Sequence, residues 1–262
     1  MAKRRKKSQK SLISALIVLL ALLIGFFGTQ FINQPKTAVL SGGSYLQAGL
    51  STAAKQTPLT FENKRQLVLA AQDSLGRAVD AHIQLKNDQE PKLKRVALDY
   101  NPVGWHNYNF YYQTTGGGTA KAWLMSRGHL VGYQFSGLNN EGRNLVPETA
   151  WFNSGNYSGM DDSNNQSMLY YENRLDSWLA NHPNYYLDYQ VTPLYKGNEL
   201  LPRQIRLAYV GIDSKGNKLQ IRLGGGRESS GNDGATIVYL DNKSPNANLN
   251  YATGTAVNTV NK

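Results

Sequence analysis

Cysteine is absent from this 262-residue chain, which excludes a disulfide framework and any thiolate metal site. Histidine is scarce, with four residues, and none stands at the spacing of a zinc site. The Gly-x-Ser-x-Gly elbow of serine hydrolases is missing. The glycine runs at 116–118 and 224–226 lack the Lys-Ser/Thr partner of a P-loop and read as flexible loops. No internal repeat is evident. A hard divalent ion stays compatible with such a chain, because Mg²⁺ needs only one or two protein oxygens and keeps its waters. Asn144, Asn153 and Glu172 are the candidate oxygen donors.

Charge is unevenly placed. Lys3, Arg4, Arg5, Lys6, Lys7 and Lys10 precede an apolar run at 12–32, and no charged residue occurs from Ser11 to Pro35. As a helix at ~1.5 Å per residue that run would span about 31 Å, one hydrocarbon core. The basic block predicts that segment 1–11 stays cytoplasmic and that the rest is exported. No small-x-small cleavage site follows directly, so the reading is an uncleaved signal anchor rather than a removed peptide. The formal net charge of +10 is then misleading. Without the six amino-terminal cations, 22 basic residues face 18 acidic ones, a net of +4. Charge alone is weak support for a nucleic-acid partner.

Residues 33–60 read as a linker with room for a short helix at 46–54, and folded structure is expected from Phe61 to the end of the chain. Strands are expected at 78–85, 185–191, 204–212, 218–223 and 236–240, and 65–72 suits either a helical turn or a strand. Pro147 with Glu148 predicts the first turn of a short helix ending near Asn153. The best helix covers 166–180, with Met168, Tyr171, Leu175, Trp178 and Leu179 in one stripe. Glu172 falls at the edge of that stripe, where a carboxylate needs a cation, donors or metal-bound water unless it leans out to solvent. The tail from Asn242 reads as irregular.

The segment that organises the rest is 123–133, Trp-Leu-Met-Ser-Arg-Gly-His-Leu-Val-Gly-Tyr. Arg127 and His129 stand two residues apart, so an extended chain puts them on one side. Gly128 between them suits close approach of a ligand. A permanent cation beside a group that titrates near neutrality suits phosphate-ester chemistry. His82, His106 and His182 read as structural, the last through helix C-terminal electrostatics.

Ser126-Arg-Gly-His129-Leu-x-Gly-Tyr, then Asn144 and Thr149-Ala-Trp-x-Asn153, then Tyr170-Tyr-Glu172, resemble the DNA/RNA non-specific endonucleases. The similarity runs from about Asp73 to Leu223 and leans toward the membrane-anchored bacterial members that act in DNA uptake. It implies an α+β fold, a ββα-metal nuclease core with a central antiparallel sheet flanked by helices, preceded here by the transmembrane helix. It further implies His129 as general base, Asn153 as direct Mg²⁺ ligand with Mn²⁺ as a substitute, Glu172 as holder of metal-bound water, Asn144 as support, and Arg127 near the phosphate. Two positions depart from the family pattern. Ser126 replaces an aspartate, and Asp176 stands where relatives often place an arginine.

The resulting reading is an exported, membrane-tethered, Mg²⁺-dependent endonuclease acting on DNA, with RNA a further candidate substrate, the membrane a partner and DNA-uptake machinery a candidate partner. Its activity should fall as His129 protonates, below about pH 6.5. Two rivals accompany it: a nucleic-acid-binding domain that has lost turnover, motivated by Ser126 and Asp176, and an adhesive surface domain using its Tyr- and Asn-rich face.

Overall fold

Two nine-residue runs, Tyr186–Leu194 and Gln204–Ile212, are the longest strands. Both alternate apolar and polar residues, and yet both are buried throughout. The explanation lies in what covers each face. The computed structural model describes residues 45–262 apart from residue 93. In chain order the strands are β1 (Gln66–Leu69), β2 (Ala81–Leu85), β3 (Asn109–Gln113), β4 (Thr119–Trp123), β5 (Met125–His129), β6 (Leu145–Thr149), β7 (Tyr186–Leu194), β8 (Gln204–Ile212), β9 (Lys218–Leu219), β10 (Ser229–Ser230), β11 (Thr236–Asp241), β12 (Ala247–Leu249) and β13 (Ala256–Asn258). The helices are α1 (Tyr133–Ser136), α2 (Ala150–Ser154) and α3 (Met168–Asn181).

The main sheet runs β1-β2-β7-β8-β11-β10, with β9 pairing β8, and every pairing is antiparallel. Its apolar face presents Ile83, Leu85, Leu187, Tyr189, Leu207 and Leu240 to Met168, Tyr171, Leu175 and Leu179 of α3. Each such side chain contributes roughly 1.5–3 kcal/mol on burial. Ser167 caps α3 by accepting from the Tyr170 amide. The helix expected at 166–180 therefore forms almost as read, with Trp178 only half-buried.

The opposite face is polar, buried and covered without a helix. His82 Nε2 meets Asp188 Oδ1 at 2.7 Å, and Gln84 Nε2 donates to Asp188 Oδ2 at 2.9 Å. Across them lies the stretch 45–60. The Leu59 amide donates to Asp188 Oδ2 at 3.0 Å, the Gln47 amide to Gln204 Oε1 at 3.0 Å, and Gln190 Nε2 to the Lys55 carbonyl at 3.0 Å. Folded structure thus starts before Phe61. Residues 45–60 are a strap rather than free linker, and no helix forms at 46–54. Among the described residues, helices cover one face of the sheet, not two. Burial of the polar face is sustained because its acceptors and donors find partners in the strap.

Three further expectations change. The helix expected from Pro147 is strand β6, paired with β5, and α2 begins only after Thr149, whose Oγ1 accepts from the Phe152 amide. Proline is tolerated there because the β5–β6 sheet has two strands, which leaves one side of β6 without a ladder. The expected strand at 218–223 shortens to β9. The tail is not irregular, because β12 and β13 pair. Among the described residues no helix is long and apolar enough to cross a membrane, and the expected anchor at 12–32 lies outside them.

Candidate active site

Gly128 sits inside β5 with Val146 of β6 opposite it, and Ser126 faces Glu148. The Glu148 carboxyl lies where a Cβ on residue 128 would be, with its Cγ 2.6 Å from that point. The glycine therefore makes room for Glu148 and not for a ligand, which corrects the reading of that position. Side chains alternate along β5, and Arg127 and His129 both line a cleft of about 310 Å³ shared with Arg95, Asn153, Glu172 and Asp176.

His129 is 8% exposed. Its Nε2 lies 3.1 Å from the Asn139 carbonyl oxygen. A carbonyl only accepts, so Nε2 carries the proton and Nδ1 keeps the lone pair. Nδ1 lies 3.5 Å from Arg95 Nη2. Burial first, and then the Arg95 charge, push the imidazole down to about 4. The near-neutral value expected for His129 is overturned for that reason. The ring is neutral throughout the physiological range and available as a proton acceptor.

Glu172 is carried by α3, the hydrophobic face of which faces the sheet. Its Oε1 is fully enclosed and has no protein hydrogen-bond partner, so the carboxylate does not lean out to solvent. Gln134 Nε2 donates weakly to Oε2 at 3.5 Å. Burial raises this carboxyl to about 7, while Gln134, the Gly132 amide and Arg95 act the other way. A Cβ at residue 132 would sit 2.6 Å from Oε1, so Gly132 is required for this approach.

Asn153 lies on α2, one turn into a helix that starts at the Thr149 cap. Its Nδ2 donates to Ser154 Oγ at 3.1 Å, which leaves the amide oxygen available as a hydrogen-bond acceptor or as a donor atom to a cation. Asn144 is fully buried and clamps the chain after β5. Its Oδ1 accepts from the Val131 amide at 3.0 Å, and its Nδ2 donates to the Val131 carbonyl at 2.9 Å. Arg127 is tethered, with Nε donating to Asn101 Oδ1 at 2.7 Å and its guanidinium 4.3 Å over the Trp105 ring. Ser126 does not line the cleft and instead faces a neighbouring groove.

The cleft brings together Arg127, His129, Asn153 and Glu172. It also contains a group that sequence reasoning passed over. Arg95 comes from the loop before β3, in the run Lys92-Leu-Lys94-Arg95, where a basic run was the available signal. Arg174 points elsewhere, donating to the Asp162 and Tyr170 carbonyls, so it does not replace the arginine missing at Asp176. Among the described residues no three His, Cys, Asp or Glu side chains cluster as a metal cage. The donor set does fit Mg²⁺, because the Asn153 amide oxygen is a hard donor and the enclosed, unpartnered carboxylate oxygen of Glu172 can accept from the water that such a cation keeps.

Residues 60–211 match the family described as DNA/RNA non-specific endonuclease. Two solved structures titled extracellular nuclease and extracellular endonuclease are each 47% identical to the chain. They are covered over their full length, match 79% and 81% of this chain, and give TM-scores of 0.64 and 0.65. NucA from Streptococcus agalactiae, solved with a magnesium ion bound, shares the fold at 20% identity and a TM-score of 0.56, over 84% of this chain and 90% of its own. Among curated proteins there is no significant match.

Proposed function

Because the chain belongs to the DNA/RNA non-specific endonuclease family and is a nuclease, we propose that it is a Mg²⁺-dependent phosphodiesterase of ββα-metal type with His129 as general base. The observation that carries this reading is the convergence of Arg127, His129, Asn153 and Glu172 on one cleft, with His129 Nδ1 as the unprotonated ring nitrogen.

The steps on the protein side follow from that geometry. A water poised in the cleft loses its proton to His129 Nδ1, while the Nε2–H bond to Asn139 holds the ring in the required tautomer and takes up part of the developing charge. Arg127 and Arg95 place two permanent cations where the phosphate gains charge. The tethers from Asn101 and Trp105 fix Arg127 before substrate arrives, so little ordering remains to be done. Asn153 would hold the ion through its amide oxygen, and Glu172 would hold ion-bound water. Mg²⁺ so bound supplies Lewis-acid polarisation of the phosphate and stabilisation of the leaving oxygen. NucA, of the same fold, is solved with magnesium, which supports the choice of ion. Phosphate contacts alone carry no sequence information, in keeping with non-specific cleavage of DNA and RNA.

Export is part of the proposal, supported by the basic block, the apolar run at 12–32 and the likeness to an extracellular nuclease and an extracellular endonuclease. The test uses the full chain with plasmid DNA and structured RNA. Wild type should cleave both with Mg²⁺ and neither with chelator. His129→Ala and Asn153→Ala should each lower the rate by at least about 100-fold with unchanged circular dichroism. Full activity in either variant would overturn the assignment.

A further inference from the structure

A second groove lies beside the catalytic cleft and takes no part in the chemistry above. Its volume is about 370 Å³, and its walls include Asn109, Lys121, Trp123, Ser126 and Tyr157. Ser154 lines both depressions, so they adjoin. Trp123 is 59% exposed, the only large exposed aromatic among the described residues besides Tyr45.

Folding does not account for that indole. The β3–β4 hairpin already buries one face. Phe110 packs with Leu124, Met125 and Leu201, and Tyr112 stacks on Tyr157 with ring centroids 4.7 Å apart at 20°. The other face carries Asn109 opposite Trp123 and Tyr111 opposite Lys121. The Lys121 ammonium lies 4.6 Å from the Tyr111 ring centroid. A flat aromatic surface and a cation two residues apart are thus left facing outward on one strand.

The chain itself connects this face to the catalytic cleft. Only Leu124 separates β4 from β5, and it is fixed on both sides, its amide donating to the Tyr108 carbonyl at 2.8 Å and its carbonyl accepting from the Ala150 amide at 2.7 Å. Trp123 and Arg127 are four residues apart on this nearly continuous extended run, about 13 Å at ~3.3 Å per residue. A strand whose phosphate sits at Arg127 can therefore lay a neighbouring base on Trp123.

We propose that Trp123 and Lys121 form a stacking subsite for one unpaired nucleotide of the substrate strand, adjacent to the cleaved phosphate. The inference rests on the nuclease reading and deepens it, because it names single-stranded or locally opened nucleic acid as the favoured substrate. Every base offers a π-face, so the subsite adds affinity without sequence preference. In an intact duplex the bases stack on one another and are not free to cover an indole.

The test measures binding and turnover with the full chain. Equilibrium binding of labelled oligothymidylate is measured in chelator, beside a duplex of equal length. Trp123→Ala should weaken binding of the single strand about ten-fold, Trp123→Phe should restore most of it, and duplex binding should change less than two-fold. Hydrolysis of bis(4-nitrophenyl) phosphate, too small to reach from Arg127 to Trp123, should be unaffected by either substitution. Unchanged affinity of Trp123→Ala for oligothymidylate would overturn the subsite, and so would equal losses for strand and duplex. Wild-type protein inert toward every phosphodiester would sink the nuclease reading instead, while the binding comparison would still decide the subsite.

Discussion

The His129 imidazole is held neutral by burial and by Arg95, with its value pushed down to about 4. In the proposed role of general base His129 works unprotonated, so it would limit activity only below that pH. Glu172 is raised to about 7 by burial, and the ionised form is the one that would hold metal-bound water. A cation beside it favours that form. The acid limb of the pH–rate profile should therefore sit near 7 at low Mg²⁺ and move toward lower pH as Mg²⁺ is raised, with His129 setting the limit near 4. A limb fixed near 6.5 at every Mg²⁺ concentration would contradict this. Glu148 poses a different problem. It is fully buried, both its oxygens lack partners, and desolvation together with Glu172 raises it well above the usual carboxylate range. The folded protein keeps this proton, whereas the unfolded chain releases it above about pH 4.3. Folding therefore loses stability as pH rises from that value toward the folded pKa. Glu148→Gln should be close to neutral at pH 4 and should raise the melting temperature by several degrees at pH 8. Equal shifts at both pH values would show that proton uptake is not the cause.

At the scale of elements, the cleft depends on how β6 hands over to α2. Thr149 ends the strand and caps the helix, and its amide donates to Asn242 Oδ1 at 3.1 Å. Asn242 is fully buried, and its Nδ2 donates to the Pro147 and Pro202 carbonyls, both at 3.0 Å. One side chain thus ties the strand beside β5 to the turn before β8. Asn242→Ala leaves one buried donor and two buried acceptors unpaired, and should cost about 2–4 kcal/mol of stability. Because Asn153 rides on α2, the Mg²⁺ concentration giving half-maximal activity should rise as well. Chemical denaturation and a metal titration read the two effects separately. The family resemblance named Asn153 as a candidate, but the sequence reading placed Asn242 at the start of an irregular tail, because a hydrogen-bond hub joining positions 147, 149 and 202 leaves no local pattern. The Pro147–Asn153 stretch failed for a related reason: proline suits both a first helical turn and an edge strand, and only the pairing partner decides between them.

For the whole molecule, the strap at 45–60 closes the polar face of the sheet. Its removal would leave Asp188, Gln190 and Gln204 without some of the partners that make their burial tolerable. A chain beginning at residue 61 should melt lower than one beginning at residue 45, by ~10 °C or more. Equal melting temperatures would mean that the strap merely rests on the surface. The same truncation should reduce activity only to the extent that it unfolds the protein, since the strap and the cleft share no residues.

The sequence alone determined the long strands and α3, because hydrophobic periodicity is a local property, while its resemblance to the endonuclease family singled out Arg127, His129, Asn153 and Glu172 as candidates. The tertiary structure decided that Gly128 serves Glu148, that Arg95 joins His129, and that polar strand residues are buried under a strap. Each of these turns on groups far apart in the chain meeting in a water-poor interior, where desolvation and neighbouring charge outweigh the intrinsic behaviour of a side chain.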